Sequence, residues 1–193
     1  FGFSVGEEGT YLGGTVAGRF KGFGLQIRMF VGVACDLGKL DLIDENTARL
    51  LADNGVTAAD RLAGYYVAGD ISVPLEKFLP IPLPSTCLLR LEGRGGTGSF
   101  GFLKPGLPPL FLIGMRQRLG FKGELLCILS GEGDLDLVGA VGIDKVGTPQ
   151  ATIAGTLKIG GSIGICPVCE EITKTFPWVV HLRADDVDFE SPF

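Results

Sequence analysis

Hydrophobicity in this chain repeats every second residue. Thr15-Val16-Ala17-Gly18-Arg19-Phe20-Lys21 alternates, and so does Leu25-Gln26-Ile27-Arg28-Met29-Phe30-Val31. Asp134-Leu135-Asp136-Leu137-Val138 sets carboxylates on one face and leucines on the other, and Val187-Asp188-Phe189-Glu190 closes the chain in the same style. Successive side chains of a strand point to opposite faces, so this period marks half-buried strands. About ten such runs, separated by Gly- and Pro-bearing turns, give the pattern of an antiparallel sandwich or barrel.

Composition narrows the class. Of 193 residues 46% are hydrophobic and 20% charged, with a mean hydropathy of +0.35, which excludes disorder. Glycine accounts for 31 residues without a Gly-X-Y period, so collagen is excluded. No stretch approaches the roughly 18 consecutive apolar residues of a spanning helix. The net charge of −5 argues against a general nucleic-acid partner. The apolar content does not shift along the chain, so residues 1–193 are expected to form a single β-rich domain.

One region breaks the alternation. Residues 44–53 read as a helix with Asp44 as N-cap and Asn54-Gly55 as the stop. Thr57-Ala58-Ala59-Asp60 then offers a capping-box-like start for a second short helix ending at Gly64. The spacing therefore predicts an inserted helical pair near residues 44–64, with Ala48, Leu51, Ala52 and Leu62 turned toward the protein. The pair resembles one helix-hairpin-helix unit, but Asp53 and Asp60 flank its turn and would repel phosphate. We expect it to cap or plug the β-structure.

Shorter features fit the same picture. Thr15–Lys21 echoes Thr152-Ile153-Ala154-Gly155-Thr156-Leu157-Lys158, and Val67-Ala68-Gly69-Asp70-Ile71 shares the Ala-Gly core, as bends of a curved sheet would. Prolines at alternate positions over residues 78–86 predict an extended connector. Gly93-Arg94-Gly95-Gly96-Thr97-Gly98 lacks the Gly-Lys-Ser/Thr ending of a phosphate loop and reads as a hairpin turn.

Candidate chemistry is sparse. Cys166-Pro167-Val168-Cys169 resembles the Cys-Pro-x-Cys of glutaredoxins over these four residues. A Gly-rich strand precedes it and Pro177 follows, so we expect Cys166 and Cys169 to form a local disulfide or act as structural thiols. Cys35, Cys87 and Cys127 complete an odd count. His181, the lone histidine, sits in a strand pattern and is read as structural. The acidic groups Glu132, Asp134, Asp136 and Asp185, Asp186, Asp188, Glu190 are read as solvated strand faces. No catalytic residue, metal site or cofactor is predicted.

Charge is unevenly distributed, with +5 over residues 90–122 and −7 over residues 124–193. Opposite potentials on one molecule favour head-to-tail contacts between copies. The chain opens on Phe1-Gly2-Phe3 without an initiating Met, as a processed product or an excised piece does. Phe1, Phe3 and Val5 alternate ahead of Gly6-Glu7-Glu8-Gly9, so residues 1–9 are candidates for an arm exchanged with a neighbour. These features point to a non-enzymatic, self-assembling extracellular or particle-surface protein: a filament, sheath or capsid-like subunit whose partners are copies of itself. The alternatives are a β-barrel carrier of an apolar small molecule or lipid, and a thiol-redox or hydrolytic enzyme.

Overall fold

Alternation becomes a single antiparallel meander. In the computed structural model the described residues are 2–6, 9–36, 42–57, 60–75, 89–105, 110–126, 128–143, 148–165, 168–183 and 186–190. They form β1 (Gly2–Gly6), β2 (Gly9–Phe20), β3 (Phe23–Cys35), α1 (Glu45–Asp53), β4 (Leu62–Pro74), β5 (Leu89–Lys104), β6 (Leu110–Leu125), β7 (Leu129–Ile143), β8 (Pro149–Ile165), β9 (Val168–Arg183) and β10 (Asp186–Glu190). The ten strands lie in one sheet in the order of the sequence, each antiparallel to the next. The expected mainly β, antiparallel architecture is present. Among the described residues no pairing joins β1 to β10, so the sheet is not closed.

The sheet curls around α1. Asn46 donates to the Asp136 carbonyl on β7, Asn54 to Thr152 on β8, and Tyr66 on β4 to Asp44 at the helix start. Leu42, just before the helix, lies against Gly13 on β2. One short segment thus meets strands from one side of the sheet to the other. Around it sits an apolar cluster that includes Phe30, Leu50, Leu51, Tyr66, Phe100, Phe102 and Leu112.

The helix starts where the sequence predicts. Asp44 Oδ1 accepts the Thr47 amide at 3.0 Å, and Gly55 leaves the helix with φ +79°. The second helix of the expected pair does not form. Asp60 accepts from the Thr57 amide at 2.7 Å, half of a capping box, but β4 begins at Leu62 and includes Gly64. Residues 58–59 lie outside the described residues. Local capping loses here to cross-strand pairing: Leu62 opposes Cys35, and Gly64 opposes Gly32 and Phe102. Gly64 runs so close to Gly101 and Phe102 that a β-carbon would collide with them. The expected burial of Ala48 and Ala52 is also corrected, because both are exposed while Leu51 and Leu62 are buried. Asn46, Thr47, Leu50 and Leu51 face inward instead, since the wall behind the helix is partly polar.

The alternation is inverted, with its charged side turned into the fold. Register and exposure place Leu110, Leu112, Gly114, Arg116, Arg118, Gly120, Lys122 and Glu124 of β6 on the concave face. The convex face of the same strand carries Phe111, Ile113, Met115, Gln117, Leu119, Phe121, Gly123 and Leu125. On β7 the concave face holds Glu132, Asp134 and Asp136, and the convex face Leu135, Leu137, Val141 and Ile143. Asp134 is therefore buried, and the acidic face expected to be solvated points into the fold. From β2 to β8 no convex position bears a charge among the described residues; β9 adds Glu170 and Lys174.

Glycines on the concave face open lanes between side chains two strands apart. Arg94, Gly120 and Asp134 stand in one row across β5, β6 and β7, and Arg94 Nη1 reaches Asp134 Oδ2 at 3.1 Å above Gly120. A β-carbon on Gly120 would strike that carboxylate, and one on Gly96 would strike Asp70. A β-carbon on Gly131, Gly133 or Gly139 would meet open space. Gly18 and Gly69 are open too, so of the three echoed Ala-Gly bends only Gly155 is a close approach, lying under the Trp178 ring. We expect Gly120→Ala to destabilise the protein by about 1–3 kcal/mol, as overpacking does. Gly133→Ala should be neutral or mildly stabilising, because glycine is a poor strand residue. Chemical denaturation of the two variants side by side checks both.

Candidate functional site

The concave face gathers most of the chain's paired charge. Arg116, only 2% exposed, is its centre. Its Nη2 lies 2.8 Å from Asp136 Oδ2, its Nη1 3.0 Å from Asp70 Oδ1, and its Nε 3.7 Å from Asp44 Oδ2. Asp70 sits on β4 and Arg116 on β6, about 10 Å apart at the backbone. They meet because Gly96 and Gly98 put no side chain on the intervening concave face of β5. Asp70 also accepts Arg28 Nη2 at 3.2 Å.

Asp44 joins this cluster to α1. Its Oδ2 accepts the Thr47 hydroxyl at 2.6 Å and the Tyr66 hydroxyl at 2.8 Å, while Oδ1 caps the helix. Farther along the helix Thr156 donates to Asn46 at 2.6 Å, and Gln150 donates to Asn54 at 2.5 Å. Buried polar groups must be hydrogen-bonded to be tolerated, and this set largely is. Arg28 Nε and Asp134 Oδ1 are buried without a hydrogen-bond partner, although Arg118 Nη2 stands 3.6 Å from the latter.

A second group lies nearer the β2–β3 turn. Arg94 Nε donates to Glu92 at 2.9 Å, and Lys158 Nζ pairs with Glu132 at 3.0 Å. Of these, Arg94 and Glu92 line an open concavity of about 600 Å³, bounded also by Arg19, Gln26, Asp70, Ser72 and Arg118. The positive run over residues 90–122 and the negative run after it therefore meet inside the sheet, with Arg116 facing Asp136 on the next strand and Arg94 facing Asp134 two strands away. The asymmetry expected to drive head-to-tail contacts is in good part neutralised within one chain.

The residues singled out from sequence do not converge here. Gly2–Gly6 pairs with β2 of its own chain, with Phe3 opposite Leu12 and Val5 opposite Thr10, and Phe1 lies outside the described residues. Cys169 opposes Gly164 at the start of β9, and Cys166 lies outside the described residues. His181 Nδ1 is 3.3 Å from Thr152 Oγ1, beside the helix end. Cys35 is a buried free thiol that donates to the Thr10 and Val33 carbonyls. Sequence reasoning missed Arg28, Arg94 and Arg116. The available signal was spacing by two: Arg28 alternates with apolar neighbours in Leu25–Val31, and Arg94 and Arg116 share their strand faces with Gly96, Gly98, Gly114 and Gly120.

Comparison with known protein families, with curated proteins and with solved structures finds no match to this chain.

Two measurements probe the site. Arg116→Met removes the counter-charge of three carboxylates and should cost about 3–5 kcal/mol, the penalty for breaking a buried ionic cluster; equilibrium unfolding reads it. At the rim, Lys104 Nζ pairs with Asp60 at 2.6 Å. That hydrogen bond, helped by the Thr57 amide, lowers the Asp60 carboxyl to about 2. A folded pKa below the roughly 3.9 of a free Asp gives stability that is present above pH 4 and lost as pH falls through about 2. The stability difference between wild type and Asp60→Asn should therefore shrink toward zero across that window.

Proposed function

We propose that this chain is the wall of a membrane-embedded β-barrel, with its convex face in lipid and its concave face enclosing a polar, partly plugged interior. The observation that carries the reading is the inverted alternation. Strands of membrane barrels place apolar residues outward and polar residues inward. Here Phe20, Leu119, Ile163 and Ile172 are each at least 67% exposed, whereas Arg116 and Asp134 are buried. Monomers in water rarely expose apolar patches beyond a few hundred Å².

Strand length supports the same reading. β2 to β9 run from 12 to 17 residues, above the roughly 9–11 that a tilted membrane strand needs. From Phe111 to Leu125 the convex row of β6 extends about 48 Å at about 3.4 Å per residue. Tilted by roughly 45° it covers about 34 Å, against a hydrocarbon thickness of about 30 Å. Hydrocarbon offers no hydrogen-bond partners, so the outer edges of β1 and β10 must pair in the bilayer, with each other or with a second copy.

A second reading keeps the expectation of a non-enzymatic self-assembling protein: the exposed convex face is covered by other copies in water rather than by lipid. The two readings part at Trp178, the only tryptophan, which lies over Gly155 on the convex face. With the protein reconstituted in vesicles, lipids brominated on the acyl chains should quench Trp178 emission, and lipid-free protein should not form defined particles. A soluble particle of fixed mass with unquenched Trp178 overturns the membrane reading and favours assembly. Leu119→Arg should cost about 2–4 kcal/mol in bilayers, where a midplane cation is expensive, as read by unfolding from vesicles.

A further inference from the structure

The concave face is divided into two unlike halves. Toward the connectors that hold α1 it is filled by the helix, the apolar cluster and the Arg116 network. Toward the β2–β3 turn it is open: Thr15, Ala17, Arg19 and Gln26 share this face yet are exposed. The concavity of about 600 Å³ there shares walls at Arg19 and Glu92 with one of about 310 Å³, which in turn shares Lys122 and Glu124 with one of about 240 Å³. Polar space thus runs from the rim inward and ends against Asp70 and the Arg116 network. It is a blind vestibule.

Its donors exceed its acceptors. A guanidinium offers five N–H groups and no acceptor. Arg94 uses Nε and Nη1 on Glu92 and Asp134. Among the described residues Arg118 has the 3.6 Å ion pair with Asp134 alone. Arg19, exposed at the mouth, makes no hydrogen bond or ion pair among the described residues. The concavity lies within the 300–1,000 Å³ range of small-molecule sites. Guanidinium forks match planar carboxylates and phosphates in paired hydrogen bonds.

We propose that this vestibule binds a small anion bearing phosphate or carboxylate groups, held by Arg19, Arg94 and Arg118. Arg19 is the residue left free for the ligand, whereas Arg94 and Arg118 are steered by Asp134 into the wall and present their remaining N–H groups. The inference goes beyond the membrane reading and does not require it, because it stands on the concave face alone.

The test is calorimetric titration of the protein in zwitterionic micelles with inorganic pyrophosphate and with citrate, using sucrose and spermidine as controls. One-to-one binding of either anion is expected, with neither control binding. Arg19→Ala should weaken it at least about tenfold, the worth of a charge-assisted hydrogen bond, and Arg19→Lys should recover part of the loss. Lys174→Ala, on the convex face, should leave it unchanged. Phosphatidic acid mixed into the micelles that competes with pyrophosphate assigns the site to a lipid headgroup; absence of competition assigns it to a soluble anion. No binding at millimolar anion, or binding indifferent to Arg19→Ala, overturns the proposal. Either result is independent of Trp178 quenching, so the two readings fail separately.

Discussion

The buried guanidinium of Arg116 is the interaction on which the interior depends. Removing a charge from water costs several kcal/mol, and only close, well-hydrogen-bonded partners offset it. Its carboxylates come from β4, β7 and the residue that opens α1. Asp44 is at once helix cap, Tyr66 partner and counter-ion. The same side chain therefore starts the helix and balances the charge behind it, which fixes where α1 begins and what its first turn faces. A substitution at Asp44 would act on capping and electrostatics together.

Glycine makes this network geometrically possible. Inter-strand spacing is about 4.8 Å, so side chains on alternate strands would ordinarily be screened by the strand between them. Gly96, Gly98 and Gly120 leave that intervening strand bare, and Asp70 meets Arg116, and Arg94 meets Asp134, across it. Elsewhere the absence of a side chain serves the other face, where Gly155 receives the indole of Trp178. Glycine weakens strands intrinsically, but at these positions its absence would separate buried charges.

Much of the fold was legible in the sequence because strand periodicity is a local property. The alternation at Leu25–Val31 and Asp134–Val138 became β3 and β7, and the Asp44 cap became α1. The direction of the alternation was not legible in the same way. A period of two says that a strand has two unlike faces; which face is turned away from water is decided by how the whole sheet curls. Arg94 and Asp134 illustrate the difficulty. They belong to segments of opposite net charge 40 residues apart, and only the order of strands turns that separation into contact. The second helix failed for a related reason: the Thr57–Asp60 turn forms, but the pairing of Leu62 with Cys35 on β3 sets the backbone that follows.

Inversion also changes what drives folding. In an ordinary β-domain, removal of the apolar strand face from water stabilises the sheet by about 1.5–3 kcal/mol for each large side chain. Here Leu119, Met115, Ile163 and Ile172 remain outside, so that term is absent until something covers the convex face. The paired charges inside cannot replace it, because a buried ion pair roughly breaks even with its own desolvation. They supply specificity of register instead: a one-residue slip of β7 against β6 would turn Asp134 and Asp136 to the convex face, taking from Arg94 and Arg116 their β7 partners. Cover on the convex face would stabilise the sheet, and the arginine–carboxylate lanes select its alignment. An apolar exterior and a charged interior are therefore two parts of one solution, in which neither would specify the fold without the other.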